Sequence, residues 1–361
     1  MVETYSIQKW LFESANGRYD IDLAASGVQF LHTGDVRIAD EWPLNYSLDR
    51  GLPELREAVA RLYGGAVRPD SGVLIAHGAQ EALYLCYRTL LSPGDHVIAT
   101  VPGWQQSWAV PRHIGCDVSL LAWTPGEAFD PRRLAELIRP DTRLIVLNSP
   151  GNPSGCLIRP EEWARITELA AANGSWILSD EEFALDLDGS VINGYDRAIS
   201  VSGLSKTYGL PGLRLGWAAG ASPEAVELLE LMVNYKRYTT MCNSPLSERI
   251  AVDVLAERER HLARYRELLA AGRTLLDGFA AEHADAISLV APEGTPFAWL
   301  RLPGRTDSTA LAERLLAEHR VLVMPAEVFG AEHGVRLTYA RPQDVLAEGL
   351  ARFGQLLRPA R

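Results

Sequence analysis

Residues 202–217 read SGLSKTYGLPGLRLGW and carry one lysine, Lys206, among small hydroxyl residues and glycines. Glycine loses more conformational entropy on folding than any other residue. Four glycines in this short segment therefore indicate a backbone that must turn tightly. Serine rather than glycine precedes the lysine, and the glycine spacing differs from GxGxxG, so neither common phosphate-binding loop is present. A lysine at a buried strand end has a lowered pKa and can act as an amine nucleophile, whereas a solvated loop lysine has no such role.

Short apolar runs alternate with helical patterns on both sides of this segment. The apolar runs are VLIAH (73–77), HVIATV (96–101), DVSLLAW (117–123), RLIVLNSP (143–150), SWILSDEEF (175–183), RAISVSG (197–203) and LRLGWAAG (213–220). Helices are expected after Gly78, after Asp130-Pro131 and from Pro160. Strands that alternate with helices predict an α/β fold with a mostly parallel sheet and helices on both faces.

The pattern changes after about residue 244, where a charged, Leu/Ala-rich helical stretch begins and runs to about residue 283. Short strands and two helices follow at 288–302, 307–319, 321–324, 335–340 and 342–357. This organisation predicts a large domain over residues 46–245 and a smaller α/β domain over residues 246–361. The N-terminal segment, residues 1–45, is expected to pack with the smaller domain.

Composition excludes several classes of function. With 46 acidic and 35 basic residues the net charge is −11, which disfavours nucleic acid and anionic membranes as partners. No apolar run approaches the roughly 20 residues of a membrane span, and the opening MVETYSIQKW lacks a signal-peptide pattern, so we expect a cytoplasmic protein. The four cysteines form no CxxC pair, which argues against a metal site and a disulfide framework.

In open α/β sheets, ligands bind beyond the carboxyl ends of the strands. After residues 73–77, Gly78 permits a tight turn, and the N–H groups of Ala79 and Gln80 at the start of a helix indicate a phosphate cradle. After residues 96–101, Trp104 is placed to cover a flat ring. Each feature also has an ordinary reading, since glycine is common in turns and tryptophan in cores.

Two further strand ends carry polar groups. Asn152 lies in SPGNPSG, which is typical of a turn and aims an amide toward the cleft. Asp180 directly follows an apolar run, where an acid is costly unless a cation partners it. Together with Lys206 and Arg214, these groups match a phosphate, a flat ring, a phenolic oxygen, a pyridine nitrogen and an aldehyde. The sequence therefore predicts pyridoxal 5'-phosphate (PLP) as the cofactor.

The sequence resembles the fold-type-I PLP enzymes, and specifically the class I/II aminotransferase superfamily. The segments that carry the resemblance are NYSLDRGLPELREAVA (45–60), HGAQEALYL (77–85), SPGDHVIATVPGW (92–104), NSPGNPSG (148–155), ILSDEEF (177–183), SGLSKTYGLPGLRLGW (202–217) and GVRLTYA (334–340). The resemblance covers almost the whole chain. It implies an aminotransferase-like large domain, a smaller C-terminal α/β domain and an enzyme that acts on an amino acid.

The resemblance also implies a role for each matching residue. Lys206 would form the Schiff base with PLP and later move the substrate α-proton. Asp180 would keep the pyridine nitrogen protonated, Asn152 would bond the ring hydroxyl oxygen, and Trp104 would stack on the ring. Arg336 would form a bidentate contact with the substrate α-carboxylate.

The phosphate-binding set would include the turn at Gly78. Its implied members are the N–H groups of Ala79 and Gln80, the side chain of Ser202 or Ser205, and Arg214. Tyr46 matches a tyrosine that reaches the phosphate of the neighbouring subunit, so a homodimer with shared sites is implied. Gly209, Gly212 and Gly216 are expected to let the backbone turn beside the cofactor.

Two departures from the superfamily pattern are present. Phe183 replaces the tyrosine of D-E-x-Y, and the loss of that hydroxyl donor should raise the pKa of the Schiff base. DLAASGVQFLHTGD (22–35) lacks the usual G-x-P-D, although Ser26 and Gly27 are expected to approach the substrate. In both features, and in LSKTYGLPGLRLGW, the chain resembles the capreomycidine-synthase-like enzymes, which cyclise hydroxylated arginine derivatives.

Three functional hypotheses follow. The first is a cyclase acting on a hydroxylated, guanidino amino acid in antibiotic biosynthesis, with Glu182, Asp35 or Asp186 as the acid that binds the guanidinium group. The second is an α-amino-acid aminotransferase that uses the same residues. The third is a binding or regulatory protein that retains the fold, which the presence of Lys206 and its partner groups disfavours.

Overall fold

The structure is a computed structural model that describes residues 2–304 and 307–357. Its α-helices are α1 (Ser6–Lys9), α2 (Pro53–Arg61), α3 (Ala79–Leu90), α4 (Gln106–Ile114), α5 (Pro131–Leu137), α6 (Pro160–Asn173), α7 (Pro223–Arg237), α8 (Pro245–Ala256), α9 (Arg258–Glu282), α10 (Ser308–His319) and α11 (Gln343–Leu357). Its strands are β1 (Ile21–Asp22), β2 (Val73–Ala76), β3 (His96–Val101), β4 (Asp117–Ala122), β5 (Thr142–Asn148), β6 (Trp176–Asp180), β7 (Ala198–Gly203), β8 (Gly216–Ala219), β9 (Ser288–Val290), β10 (Phe297–Arg301), β11 (Val321–Leu322), β12 (Met324–Pro325) and β13 (Gly334–Thr338). None of these helices has the length and apolar composition needed to cross a membrane.

The apolar runs of residues 73–219 form one sheet in the order β2-β8-β7-β6-β5-β3-β4. Strands β3 to β7 are parallel to their neighbours within this group, whereas β8 is antiparallel to both β2 and β7. The expected α/β fold with a mostly parallel sheet is confirmed. Parallel strands bring their carboxyl ends to one edge, so the groups that follow β5, β6 and β7 converge there.

Both faces of the large sheet are buried, which explains why its strands read as continuous apolar runs. Successive side chains of a strand point to opposite faces. Leu74 and Ala76 of β2 therefore pack in the same cluster as buried residues of α3, α4 and α7, while Val73 and Ile75 pack on the other side with α2 and α8.

The C-terminal part of the chain builds a second sheet. Its order is β12-β13-β10-β9 and all its pairings are antiparallel. The N-terminal strand β1 pairs in parallel with β11, where Ile21 lies opposite Val321. The N-terminal segment thus contacts the C-terminal part of the chain, whereas the exact domain boundaries stay a prediction.

Helix α9 passes very close to the loop after β13. A Cβ atom on Gly272 would lie 1.8 Å from the carbonyl oxygen of Tyr339, and the same change at Gly278 in the same helix would meet no atom within 4 Å. Gly272→Ala should therefore destabilise the fold by roughly 1–3 kcal/mol through overpacking. Gly278→Ala, the matched control, should stabilise it by about 0.5–1 kcal/mol through helix propensity. Thermal unfolding of both variants checks this, and equal Tm values would contradict it.

Candidate active site

The carboxyl edge of the large sheet opens on a cavity of about 380 Å³. Nine of the residues expected at the site line this cavity: Ser26, Ala79, Gln80, Trp104, Asn152, Asp180, Ser205, Lys206 and Arg214. They come from the ends of different strands and from the N-terminal segment. The sheet topology therefore brings together groups that are up to 188 positions apart in sequence (26 to 214).

Asp180 ends β6 and is buried at the base of the cavity. Asn148, at the end of the neighbouring strand, donates from its side-chain amide to the Asp180 carbonyl oxygen at 2.8 Å. Burial raises the pKa of Asp180 to about 6, and the charge of Lys206 acts in the opposite direction. In the described parts of the chain no cation forms an ion pair with this carboxylate, so a ligand with a protonated ring nitrogen would supply the missing partner.

Lys206 lies in the loop after β7. Burial lowers its pKa, as do Arg336 and Arg214, while the nearby Glu182 carboxylate raises it. The loop is held by the N-terminal segment, because Val28 N donates to the Lys206 carbonyl oxygen at 3.2 Å. A Cβ atom on Gly27 would lie 3.1 Å from the Ser205 carbonyl oxygen. The geometry thus presents an amine with a lowered pKa on a firmly packed backbone, as nucleophilic catalysis requires.

An anion cradle lies at the start of α3. Gly78 precedes the helix with φ +79°, and no side chain caps the first N–H groups. A Cβ atom on Gly78 would lie 2.6 Å from Arg214 Nη2, and one on Gly216 would lie 2.5 Å from Ala79 N. Both glycines therefore permit a close approach, and the N–H groups of Ala79 and Gln80, with Arg214, suit a phosphate at a helix N-terminus.

Two finer expectations about residues 202–217 can be compared with the structure. Ser202 Oγ donates to the Glu181 carbonyl oxygen at 3.2 Å and lies away from the cavity, so Ser205 is the serine that the structure places beside Lys206. The expectation for Gly212 is not supported, because a side chain there would meet no atom within 4 Å. Gly209, in contrast, has φ +70° and would place a Cβ atom 2.9 Å from the Gln29 carbonyl oxygen.

Arg336 on β13 lies behind Asn152 rather than on the cavity wall. Its Nη1 donates to Asn152 Oδ1 at 2.6 Å, its Nη2 donates to the Ala24 carbonyl oxygen, and its Nε has no partner among the described residues. The guanidinium group lies over Phe297 and Phe329, at 5.1 and 4.9 Å from the ring centroids. Burial lowers its pKa to about 9. Arg336 thus fixes the Asn152 amide, whose N–H₂ group remains for a ligand oxygen.

The N-terminal segment closes one side of the cavity, which sequence analysis missed. Helix α1 and the π-helix Trp10–Ser14 place Gln8 and Phe12 on the cavity wall. Tyr5 contacts Trp104 edge to face at 5.6 Å. Asn148 and Leu83 also line the cavity. Asn148 had a sequence signal, since it ends an apolar strand as Asp180 does, but no pattern in residues 5–14 indicates where that segment packs.

The acids that were candidates for binding a guanidinium group lie in different places. Glu182 lines the cavity, whereas Asp35 and Asp186 line separate surface pockets. Phe183 is buried on the cavity wall and contacts Phe297 edge to face at 5.0 Å. Tyr46 is 78% exposed and lies outside the cavity of its own chain.

The sequence model of the family described as aminotransferase class I and II matches residues 37–353. The chain belongs to this family. Its members use PLP, and the cavity fits that cofactor, with a buried carboxylate that forms no ion pair among the described residues, a lysine of lowered pKa and an anion cradle. This protein is therefore a PLP-dependent enzyme with an aminotransferase-like fold.

Individual relatives in the family fall into two functional groups. Over 374 aligned positions the chain is 33% identical to capreomycidine synthase of Streptomyces vinaceus, which covers 97% of this chain and 93% of that protein. It is 31% identical to a probable aspartate/prephenate aminotransferase of Thermus aquaticus, with 87% and 84% covered.

The solved structures show the same two groups. A PLP-dependent aminotransferase from Streptococcus suis matches with a TM-score of 0.91 and 30% identity over 99% of this chain and 98% of that one. The PLP-dependent cyclase OrfR matches with a TM-score of 0.86 and 30% identity over 99% and 97%.

Covalent labelling tests the role of Lys206 in this family member. The chain has three lysines, of which Lys9 is exposed and Lys236 is buried and donates to three oxygen atoms. After incubation with PLP and reduction by borohydride, peptide mass analysis should find the adduct on Lys206, and Lys206→Ala should lose it. Lys9→Ala is the control and should retain the adduct. An unchanged adduct in Lys206→Ala would contradict the assignment.

Proposed function

We propose that the protein converts a hydroxylated arginine derivative into a cyclic guanidino amino acid by elimination and ring closure, as a step of antibiotic biosynthesis. Phe183 carries this proposal. It removes the hydroxyl donor that aminotransferases of this family place on the cavity wall, and it packs against Phe297 instead. The similarity to capreomycidine synthase along 97% of the chain and to the cyclase OrfR supports the same assignment.

Bound PLP supplies an electron-withdrawing ring that makes the substrate α C–H acidic. Asp180, which is buried and forms no ion pair among the described residues, would pair with the ring nitrogen. The Asn152 amide, which Arg336 holds in place, would bind the α-carboxylate. Lys206 takes the α-proton because its pKa is lowered by burial.

The balance of the proposed reaction is the loss of one water molecule. The α-proton and the side-chain hydroxyl group leave the substrate together as water. A guanidine nitrogen then forms the new bond to the side-chain carbon, and its proton returns to the α-carbon. The amino group stays on the product, which distinguishes this reaction from transamination.

Gln8 supports a substrate that is rich in hydrogen-bond donors. Its side chain lines the cavity, and its Oε1 is buried without a donor among the described residues. A buried acceptor without a partner costs about 1–3 kcal/mol. A guanidinium group carries five N–H donors and would satisfy this oxygen.

Transamination is the second candidate function. The similarity to the Thermus aquaticus protein and to the Streptococcus suis structure favours it. The same residues would act, with Lys206 moving the α-proton and the Asn152 amide, held by Arg336, binding the carboxylate. The products would be a keto acid and the amino form of the cofactor.

We also propose that the protein is a homodimer. Leu44, Tyr46 and Tyr238 are 84%, 78% and 85% exposed in the single chain, so these large apolar side chains are available for a contact between subunits. In such a dimer Tyr46 would reach the cofactor phosphate of the other subunit. A solution mass of about twice 39.7 kDa is expected by light scattering.

Product analysis separates the two reactions. The holoenzyme is incubated with arginine, with β- and γ-hydroxyarginine and with common amino acids, and the products are weighed by mass spectrometry. Loss of one water with the amino group retained is expected for a hydroxyarginine. A keto acid with conversion of the cofactor to its amino form would contradict the cyclase and support the aminotransferase.

The same assay, run with a Gln8 variant, tests the contact between Gln8 and the substrate. Gln8→Leu removes the buried acceptor and should raise the KM for the guanidino substrate about tenfold, in line with one lost hydrogen bond to a charged group. Lys9→Ala, one residue further along α1 and exposed, is the control. An unchanged KM in Gln8→Leu would exclude this contact.

A further inference from the structure

Glu182 is a buried acid on the cavity wall with no role in the proposed reaction. Its side chain is 6% exposed. Both carboxylate oxygens are buried, and neither has a hydrogen-bond partner among the described residues. An unpaired acid inside a protein costs several kcal/mol if it is charged. Glu182 must therefore either remain charged at this cost in stability or be neutral with a bound proton.

The surroundings of Glu182 place it beside Lys206. A Cβ atom on Gly203 would lie 3.0 Å from Glu182 Oε2, so glycine at the end of β7 leaves the room that the carboxylate occupies. Lys206 exerts the largest charge effect on Glu182, followed by Asp180 and Arg214, and the Ser205 backbone also faces it. These groups come from β6, from the loop after β7 and from the segment before β8.

The neighbours of Glu182 belong to the part of the cavity that is suited to hold the cofactor. Arg214 belongs to the anion cradle, and Ser205 lies beside Lys206. Gln8 and Phe12, in contrast, come from the N-terminal segment that packs against Trp104. Glu182 therefore faces the groups that hold the cofactor, which makes it a poor partner for a substrate guanidinium group.

Glu182 and Lys206 set each other's protonation. Burial raises the pKa of Glu182 to about 8, although Lys206 and Arg214 lower it. Burial also lowers the pKa of Lys206, and Glu182 raises it. Each group therefore favours the charged form of the other, and the two protonation states are coupled.

We propose that Glu182 is the proton-exchange partner of Lys206. One proton passes from the Lys206 ammonium nitrogen to a Glu182 carboxylate oxygen and returns later, so that no atom is gained or lost. The two groups form no direct ion pair in the structure, but both line the same cavity. The exchange leaves Lys206 as a neutral amine when it must accept the substrate α-proton.

The inference rests on the part of the proposed function that makes Lys206 the cofactor-binding amine, and it holds for the cyclase and the aminotransferase alike. Its test therefore uses the resting holoenzyme without substrate. If the product assay contradicts the cyclase, the result of this titration still stands. If the titration fails, the identity of the reaction is unaffected.

The first measurement is a pH titration of the cofactor absorbance. The protonated link between Lys206 and PLP absorbs at roughly 410–430 nm. Glu182→Gln removes the carboxylate that stabilises this positive charge. The midpoint, which is the pH at which half of the absorbance band is lost, should therefore fall by about one pH unit or more. Glu182→Asp keeps the charge and should restore most of the midpoint.

Glu181→Gln is the matched control. Glu181 is the adjacent residue and is equally buried, but it accepts hydrogen bonds from Ser179, Ser190 and Ser200 and does not line the cavity. Its replacement should leave the midpoint within about 0.2 pH unit of the wild type. A midpoint in Glu182→Gln that matches this control would overturn the proposal.

The cofactor-free protein supplies a second measurement that does not depend on the absorbance. Glu182 has its ordinary pKa of 4.5 when unfolded and a pKa of about 8 when folded. Because the folded pKa is raised, the stability from the bound proton is full below about pH 4.5 and is lost as the pH rises to about 8. The Tm of Glu182→Gln should therefore match the wild type near pH 5 and exceed it near pH 8.5.

A Tm difference that is the same at both pH values would show that Glu182 titrates as an exposed acid, which would contradict the proposal. Glutamine keeps the shape of the side chain and one carbonyl oxygen that can face the Ser205 backbone as the carboxylate does. If the glutamine variant nevertheless fails to fold, the absorbance titration and the Tm measurements are made on Glu182→Asp instead. This variant should keep the wild-type pH dependence of the Tm.

Discussion

The site depends on one constraint, which is that charged groups lie inside the protein without direct ion pairs to one another. Asp180, Glu182 and Arg336 are buried, and Lys206 faces the same cavity. Each such charge costs several kcal/mol unless a partner compensates it. The large sheet and its close-packed loops supply the stability that offsets this cost. A ligand that pairs with these groups binds only the folded protein and so stabilises it further.

The chain keeps three consecutive acids apart because β6 ends at Asp180 and a turn follows directly, in which Ala184 N donates to the Glu181 carbonyl oxygen at 3.0 Å. Asp180 and Glu182 point into the cavity, whereas Glu181 points to the other side, where three serines donate to it. Tyr63 contacts one of these serines, Ser200, at 2.8 Å and accepts from Trp217 at 3.1 Å. The satisfied acid stiffens the base of the site, while Asp180 and Glu182, which form no ion pair, remain for chemistry.

Strand-end residues could be predicted from the sequence because apolar runs define the strands and parallel topology collects their carboxyl ends. The choice between Ser202 and Ser205 could not, since it depends on the path of the loop after β7. The sequence also could not predict that Glu182, rather than Asp35 or Asp186, lies on the cavity wall, because none of these acids has a periodic pattern around it. Gln8 and Phe12 escaped prediction for a further reason. Their position depends on contacts with residues about 100 positions away, such as the hydrogen bond from Ser6 N to Gln105 Oε1.

The balance of charge links the cofactor to the proton on Glu182. Lys206, Arg214 and Arg336 are cationic groups, and the start of α3 adds a partial positive charge. Asp180 and Glu182 are the facing acids. A phosphate group with a charge near −2 adds to the two acids, and together they nearly balance the three cationic side chains and the start of α3. A protonated ring nitrogen opposite Asp180 adds one more positive charge, so Glu182 can be ionised in the resting site as well. Glu182 then has room for a proton at the stage when Lys206, which lines the same cavity, must lose and regain one.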